Sequence, residues 1–563
     1  TTIGANAFEN SGITTFTSSN LATIGDNAFI NTPIQTINLS TVTRIGEKAF
    51  AYCNSLTNVT LTNNITALGD SAFANCENLA SVTLTGVTTL GNSIFTNCTA
   101  LNTITADSLA TIGNYTFYGC SSLKKLTLSA LKTVGDYAFA ETSVESLSLP
   151  SATTLGISSF GNCSSLKTVS LSAITDFVYN AFNGSNKVET LSLSKATNFD
   201  FGNGKLSDLF PSLTSFTDKS ITNVPDYFFD GCSKLSSITL GNVVTVGNYS
   251  FRGTALNSIP FNSAKNFGEG AFSDMPYLEE VKLDLPELLD FSIFAGSTNV
   301  KKVVVNNLYE LPGDFRCRDY FPNIEHFECE NVISIPDYAF KGCSNLYYYD
   351  FFYVEEIGCE AFRGTAIEDP SCSRVETIGE RAFADCTNLG EVSLASLYEI
   401  NMNVFENSEH TVTDLNLNLI SYEDADDIAT LNFQKFTNLQ GIGLDSQKHI
   451  PDNAFKNLSS LNSVVLGACE TIGENAFANC TALKSVSLLE ATAIGKGAFS
   501  GCTGLESFYA YSLTSLDFDV FNDCSNLKKL SLDSMTEFPV DEEGRFNLSN
   551  LEKLVSFSAN SLE

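Results

Sequence analysis

The chain has 563 residues and carries 64 Asp and Glu against 31 Lys and Arg, a formal net charge of −33. That balance argues against nucleic acid and anionic membrane surfaces as partners, since both are held through clustered Lys and Arg. No apolar run approaches the roughly 18 residues of a membrane span, and the surplus charge reads as a solubilising surface.

Self-similarity dominates what remains. Ile472-Gly473-Glu474-Asn475-Ala476-Phe477 leads to Cys480, Leu483, Val486 and Leu488, and the pattern returns as Ile494-Gly495, Ala498-Phe499, Cys502, Leu505 and Phe508. With the phenylalanine as register mark, the motif runs from Phe8, Phe29 and Phe50 through Phe117, Phe251 and Phe340 to Phe521, with neighbouring marks mostly 21 to 23 residues apart. Blurred copies have Phe210, Phe321, Phe436 and Phe546 as marks, giving about 25 units of the leucine-rich-repeat period.

One unit shows the physics. In Leu79-Ala80-Ser81-Val82-Thr83-Leu84, Val82 and Leu84 alternate with small polar residues, the period of a half-buried strand. Asp70-Ser71-Ala72-Phe73-Ala74-Asn75 reads as a short helical turn on the opposite side, with Phe73 filling the space between. Gly69 is expected to take a backbone conformation that a side chain disfavours. A unit this short cannot bury its own apolar face, so stacked units share one core. The fold expected is an α/β solenoid, a leucine-rich-repeat superhelix with a continuous parallel β-sheet on its concave face and one domain over 1–563.

The core G-x-x-A-F-x-x-C-x-x-L resembles the BspA-like subclass of leucine-rich repeat, also seen in treponemal repeat proteins, over essentially the whole chain. The resemblance implies a bacterial or protist surface protein, extracellular or at the cell surface, in some members an adhesin for host matrix.

Taken in order, residues 1–200 are regular and polar. Outward strand positions such as Ser81, Thr83, Thr103, Thr168, Ser170 and Thr190 are Ser or Thr, a solvated face with little anchoring power. Irregular repeats follow near 183–210, 295–321, 406–436 and 522–546. The marks before them, Phe182, Phe294, Phe405 and Phe521, recur at 111 to 116 residues, a second-order repeat of about five units. Asn-x-Ser/Thr sequons, including Asn58, Asn97 and Asn162, bear on glycosylation only in a eukaryotic secretory route.

The middle strands change character. Their outward positions read Glu280, Lys282, Lys302, His326, Glu328, Tyr348, Asp350 and Phe352. Alternation through Tyr347-Tyr348-Tyr349-Asp350-Phe351-Phe352-Tyr353 predicts Tyr349, Phe351 and Tyr353 buried, with Tyr348 and Phe352 exposed. The candidate binding residues are therefore Tyr348, Asp350, Phe352, Glu328 and Lys302, aromatic anchors beside charged groups that suit a protein or glycan ligand.

Eleven of the 16 cysteines stand three residues after a register Phe. That regularity marks a core slot for a small weak donor; Cys359 with Cys372, and Cys317 with Cys329, lie off it and could pair. The three histidines, His326, His410 and His449, are far apart in register, and no nucleophile, phosphate-binding or zinc motif is present. Asp424, Asp426 and Asp427 lack the Gly and terminal Glu of a calcium loop. No enzyme, cofactor or metal is expected. The function expected is non-enzymatic recognition or adhesion through the solenoid face. The alternative is a structural protein. Thr1-Thr2-Ile3-Gly4 and Ala559-Asn560-Ser561-Leu562-Glu563 join into a nearly normal unit, so solenoids could associate head to tail into a rod or filament.

Overall fold

The computed structural model describes residues 1–200, 204–284, 289–398, 400–417, 432–537 and 551–560; Phe546 and the acidic run 423–427 lie outside them. Each repeat is one coil, joined to the next at three places. The first is the long strand. Asn58–Thr62, Ser81–Thr85 and Thr103–Ala106 pair in parallel with Val59, Val82 and Ile104 in register and all buried. The second is a two-residue ladder, as in Thr23–Ile24, Arg44–Ile45 and Ala67–Leu68. The third is the turn, where Ser71, Phe73 and Asn75 donate N–H bonds to the carbonyls of Asn92, Ile94 and Thr96 at 3.1, 3.0 and 2.7 Å.

That third junction corrects the helical reading. Ser71 and Asn75 sit at φ of 57° and 59°, in the left-handed region where no α-helix propagates. Every second N–H of the turn goes to the next coil, leaving isolated local bonds such as Ala74 N to Ser71 O at 3.0 Å. Among the described residues α-helix appears only as single turns, Leu206–Leu209 and Cys317–Tyr320, both in blurred copies.

The structure also changes the reason for Gly69. A Cβ there would lie 2.3 Å from the backbone nitrogen of Glu47. The glycine is required because two coils meet backbone to backbone, while the positive φ falls two residues later.

The residue after that glycine couples coils through its side chain. Asn92 Oδ1 accepts from Asn114 N at 3.0 Å, Asn114 Oδ1 from Asp136 N at 2.8 Å, and Asp136 Oδ1 from Ile157 N at 2.8 Å.

Among the described residues the register phenylalanines are buried, Phe8 excepted, which is half-buried. Their rings stack coil upon coil, 5.2 Å apart from Phe29 to Phe50 and 5.1 Å from Phe50 to Phe73, within 5° of parallel. Beside them runs the cysteine slot. The thiols of Cys53, Cys76 and Cys98 each donate to the register Phe carbonyl of the preceding coil, at 3.1, 3.1 and 3.3 Å. Ser185 and Ser408 make the same bond at 2.6 and 2.9 Å, while Thr142 turns to the Phe139 carbonyl of its own coil at 2.8 Å. All sixteen cysteines are free, so the two pairings left open do not form.

The contacts fall into two compact units, Thr1–Leu278 with Ser292–Ser297, and Glu279–Phe291 with Thr298–Glu563. In the first, a five-stranded parallel sheet from Ser146–Ser148 to Ser237–Leu240 presents Thr168, Thr190, Ser215 and Ser237 in one outward row, the polar face expected. At its irregular coil, Asp230 is buried between the bidentate guanidinium of Arg252, at 2.7 and 2.8 Å, and the Lys205 ammonium. The second unit holds the long-strand sheets that carry the candidate site.

Candidate functional site

Four parallel strands of the second unit, Glu280–Asp284, Lys302–Asn306, His326–Cys329 and Tyr348–Tyr349, place Glu280, Lys302, His326 and Tyr348 side by side on the outer face. Lys282, Val304 and Glu328 form the next row. The inner face takes Val281, Val303, Phe327 and Tyr349, all buried.

Tyr348 is 42% exposed and Phe352 62% exposed. The ring of His326 lies flat on Tyr348, with centroids 4.2 Å apart and planes 8° from parallel. His326 Nε2 is also 3.2 Å from Glu328 Oε2. Partial burial pushes the Tyr348 hydroxyl above its usual pKa, and the carboxylates of Asp350 and Glu328 push it the same way. Asp350 is half-buried and accepts the backbone N–H of Phe352 at 3.0 Å, which fixes the turn that presents the phenyl ring. Lys302 reaches Glu280 at 3.4 Å with both side chains 46% exposed, a contact worth little in water.

The sequence reading of this stretch fails at one ring. Tyr353 is 40% exposed, not buried. The strand ends at Tyr349 and the chain turns through Phe352 and Tyr353, so alternation stops and Val354 takes the buried place. Because the three histidines lie far apart in register, sequence reasoning also gave His326 no role. Its signal was its position, one coil before Tyr348 in the same outward row.

Tyr347, Tyr348, Asp350, Phe352, Asp369 and Ser371 border an open hollow of about 230 Å³. Asp369 and Ser371 also border a second hollow of about 440 Å³, over the strands Glu391–Ser393, Asp414–Asn416, Gly441–Gly443 and Ser463–Val465. Asp369, Glu391, Asp414 and Asp445 line it, with no Lys, Arg or His among the lining residues. Its floor is low because both outward positions of one strand are Gly441 and Gly443. Asp414 leans over the first of them, so that a Cβ on Gly441 would lie 2.2 Å from Asp414 Oδ1. The sequence signal for this hollow was Gly-Ile-Gly where a strand elsewhere carries Ser or Thr.

The other histidines lie apart from these groups. His449 Nδ1 is 2.7 Å from Thr471 Oγ1, and the backbone carbonyl of His410 accepts from Asn438. Among the described residues no group of three His, Cys, Asp or Glu is placed to hold a metal ion, and no helix is long and apolar enough to cross a membrane.

Among solved structures, the chain is similar to a leucine-rich repeat protein from Bacteroides ovatus, at 20% identity over 86% of this chain and 91% of that one, with a TM-score of 0.21. It is similar to a leucine rich cell surface protein from Faecalibacterium prausnitzii, at 18% identity over 76% and 83%, with a TM-score of 0.18. The Toll–Spatzle complex of Drosophila matches at 18% identity over 66% of this chain and 54% of that one, with a TM-score of 0.35. At such scores the likenesses carry nothing about ligands. No curated protein matches the chain. The family model of the BspA type leucine rich repeat region, built of six copies, matches residues 1–102, 88–204, 210–315, 315–439 and 448–560. With nearly the whole length so matched, and with parallel coils carrying the motif, the chain belongs to the BspA-type leucine-rich repeat family.

Proposed function

We propose that this chain is a non-enzymatic recognition protein of the cell surface, and that it binds a protein partner on the outer sheet face around Tyr348 and Phe352, with Asp350, Glu328 and Lys302 beside them. The observation that carries the reading is the pair of exposed aromatics, one already stacked on His326 and the other held by an Asx turn. Fixed aromatic rings lose little conformational entropy on binding, which is why such residues dominate interface hot spots. The adjoining acidic hollow supports a partner that brings Lys or Arg next to its apolar contact. Localisation outside the cell rests on kinship with surface proteins of the same repeat type.

The test is surface plasmon resonance of the full chain against purified extracellular-matrix proteins, each immobilised separately. At least one is expected to bind. The Tyr348→Ala/Phe352→Ala double variant is expected to bind it at least about tenfold more weakly, since hot-spot aromatics contribute about 2 kcal/mol or more each. Its thermal midpoint should be unchanged, because both rings are already exposed. Equal affinity in the double variant, or binding to none of the proteins, refutes the reading.

A further inference from the structure

The first unit carries a second aromatic feature, on the turns and away from the sheet face. Tyr115 and Tyr137 stand two residues after the coil glycines Gly113 and Gly135, at φ of 56° and 55°. Their rings stack 4.9 Å apart and 5° from parallel. The next coil puts Ser158 at the same place, at φ of 48°. The stack therefore stops at Tyr137, and the rung that a third ring would fill holds only a hydroxymethyl group. The position after the register Phe shrinks in step, from Tyr118 to Ala140 to Gly161. These small residues leave an open hollow of about 400 Å³ between Tyr137 and the turn at Asn183-Gly184.

Glu141, Asn162 and Asn183 stand exposed around that hollow. The nearby Glu141 carboxylate pushes the Tyr118 hydroxyl above its usual pKa and places negative charge at the rim. A related tyrosine pair shows what a filled slot looks like. Tyr227 and Tyr249 stack at 5.6 Å, but the next rung is Gly270, where a Cβ would lie 2.4 Å from Tyr249 Cε1. Tyr249 thus lies over the glycine, bonds Glu269, and carries Arg252 4.9 Å from its ring centroid. Tyr137 is half-buried, as Tyr249 is, but among the described residues no such cation lies over its ring, and the small Ser158 at its next rung is buried.

We infer that the hollow beside Tyr137 is a carbohydrate subsite, taking one neutral hexopyranose ring of an oligosaccharide. The ring's C–H face continues the tyrosine stack at the Ser158 rung, and its hydroxyls meet Glu141, Asn162 and Asn183. A protein aromatic would stack on the same face but leave those three side chains without partners as it excluded water from them. An acidic sugar is disfavoured by Glu141 and by the net charge of −33. This subsite is independent of the protein-binding face proposed above, and its test separates the two.

The full chain is titrated calorimetrically with maltotetraose, cellotetraose and mannotetraose. At least one is expected to bind with a millimolar or tighter Kd. Tyr137→Ala removes the stacking face. Ser158→Tyr fills the slot with the residue that the two preceding coils already carry at that rung, so it keeps the fold while closing the site. Both should weaken binding at least tenfold, whereas Tyr348→Ala/Phe352→Ala should leave it unchanged. Binding of none of the three sugars, undiminished binding in Ser158→Tyr, or loss of binding in the Tyr348/Phe352 variant overturns the inference.

Discussion

Replacing Phe477 by Ala tests how the core is built. The ring is fully buried and stacked on both faces, 5.1 Å from Phe455 and 5.2 Å from Phe499. Buried Phe→Ala changes cost about 3–5 kcal/mol. Two stacked neighbours, each pair worth about 0.5–1.5 kcal/mol beyond burial, place this site toward the upper end of that range. The cavity has walls of rings fixed by their own coils, so it cannot collapse easily. Because coils touch mainly their neighbours, the loss should be local. The amides of Phe455, Phe477 and Phe499, which bond Ala476, Ala498 and Val520 of the following coils, should lose hydrogen-exchange protection by a factor matching the lost stability. Amides of the Phe340 and Phe362 coils should keep theirs. A loss below about 1 kcal/mol, or protection falling equally throughout the second unit, would refute the stacked-coil account.

Two further outcomes follow from the same geometry. Gly69→Ala should destabilise by about 1–3 kcal/mol in denaturant melts, because the new methyl would meet the Glu47 nitrogen at 2.3 Å; an unchanged midpoint would mean the coils part at no cost. Burial raises the Asp230 carboxyl, but the hydrogen bonds and charges of Arg252 and Lys205 outweigh it and hold the group below the usual range. A lowered folded pKa contributes stability above the unfolded value of about 3.9 and loses it as pH falls through the folded pKa. Asp230→Asn should therefore flatten the stability loss of the wild type below about pH 4 and cost about 1–3 kcal/mol at pH 7; parallel pH profiles would deny the link.

Much of the fold was legible because the repeat writes its core in a few slots. The Phe ladder, the Ser and Thr face and the thiol slot all follow from spacing and residue size. The helical turn was misread because Ala, Phe and Cys at helical spacing satisfy the same pattern as a turn whose N–H groups point to the next coil. Local periodicity holds no information about that inter-coil bonding. Gly69 was misassigned for the same reason, since its constraint comes from Glu47, one coil away. At the candidate site, Tyr348 was placed correctly by alternation, and Phe352 is exposed as expected but on the turn past the strand end. Tyr353 was misplaced, because the strand ended sooner than its apolar residues did. The stack of His326 on Tyr348 required knowing which residues of adjacent coils share a row.

The side-chain ladder from Asn92 through Asn114 and Asp136 to Ile157 has a mechanical consequence. It runs beside the backbone bonds that join one coil to the next. A tensile load applied across stacked coils is borne by every junction in series, and the weakest yields first. Each junction that yields releases a single coil of about 22 residues, about 75 Å of extended chain, while the coils behind it keep their donors and acceptors paired. Coils stacked this way lengthen under strain in small increments of about one coil each and do not rupture all at once.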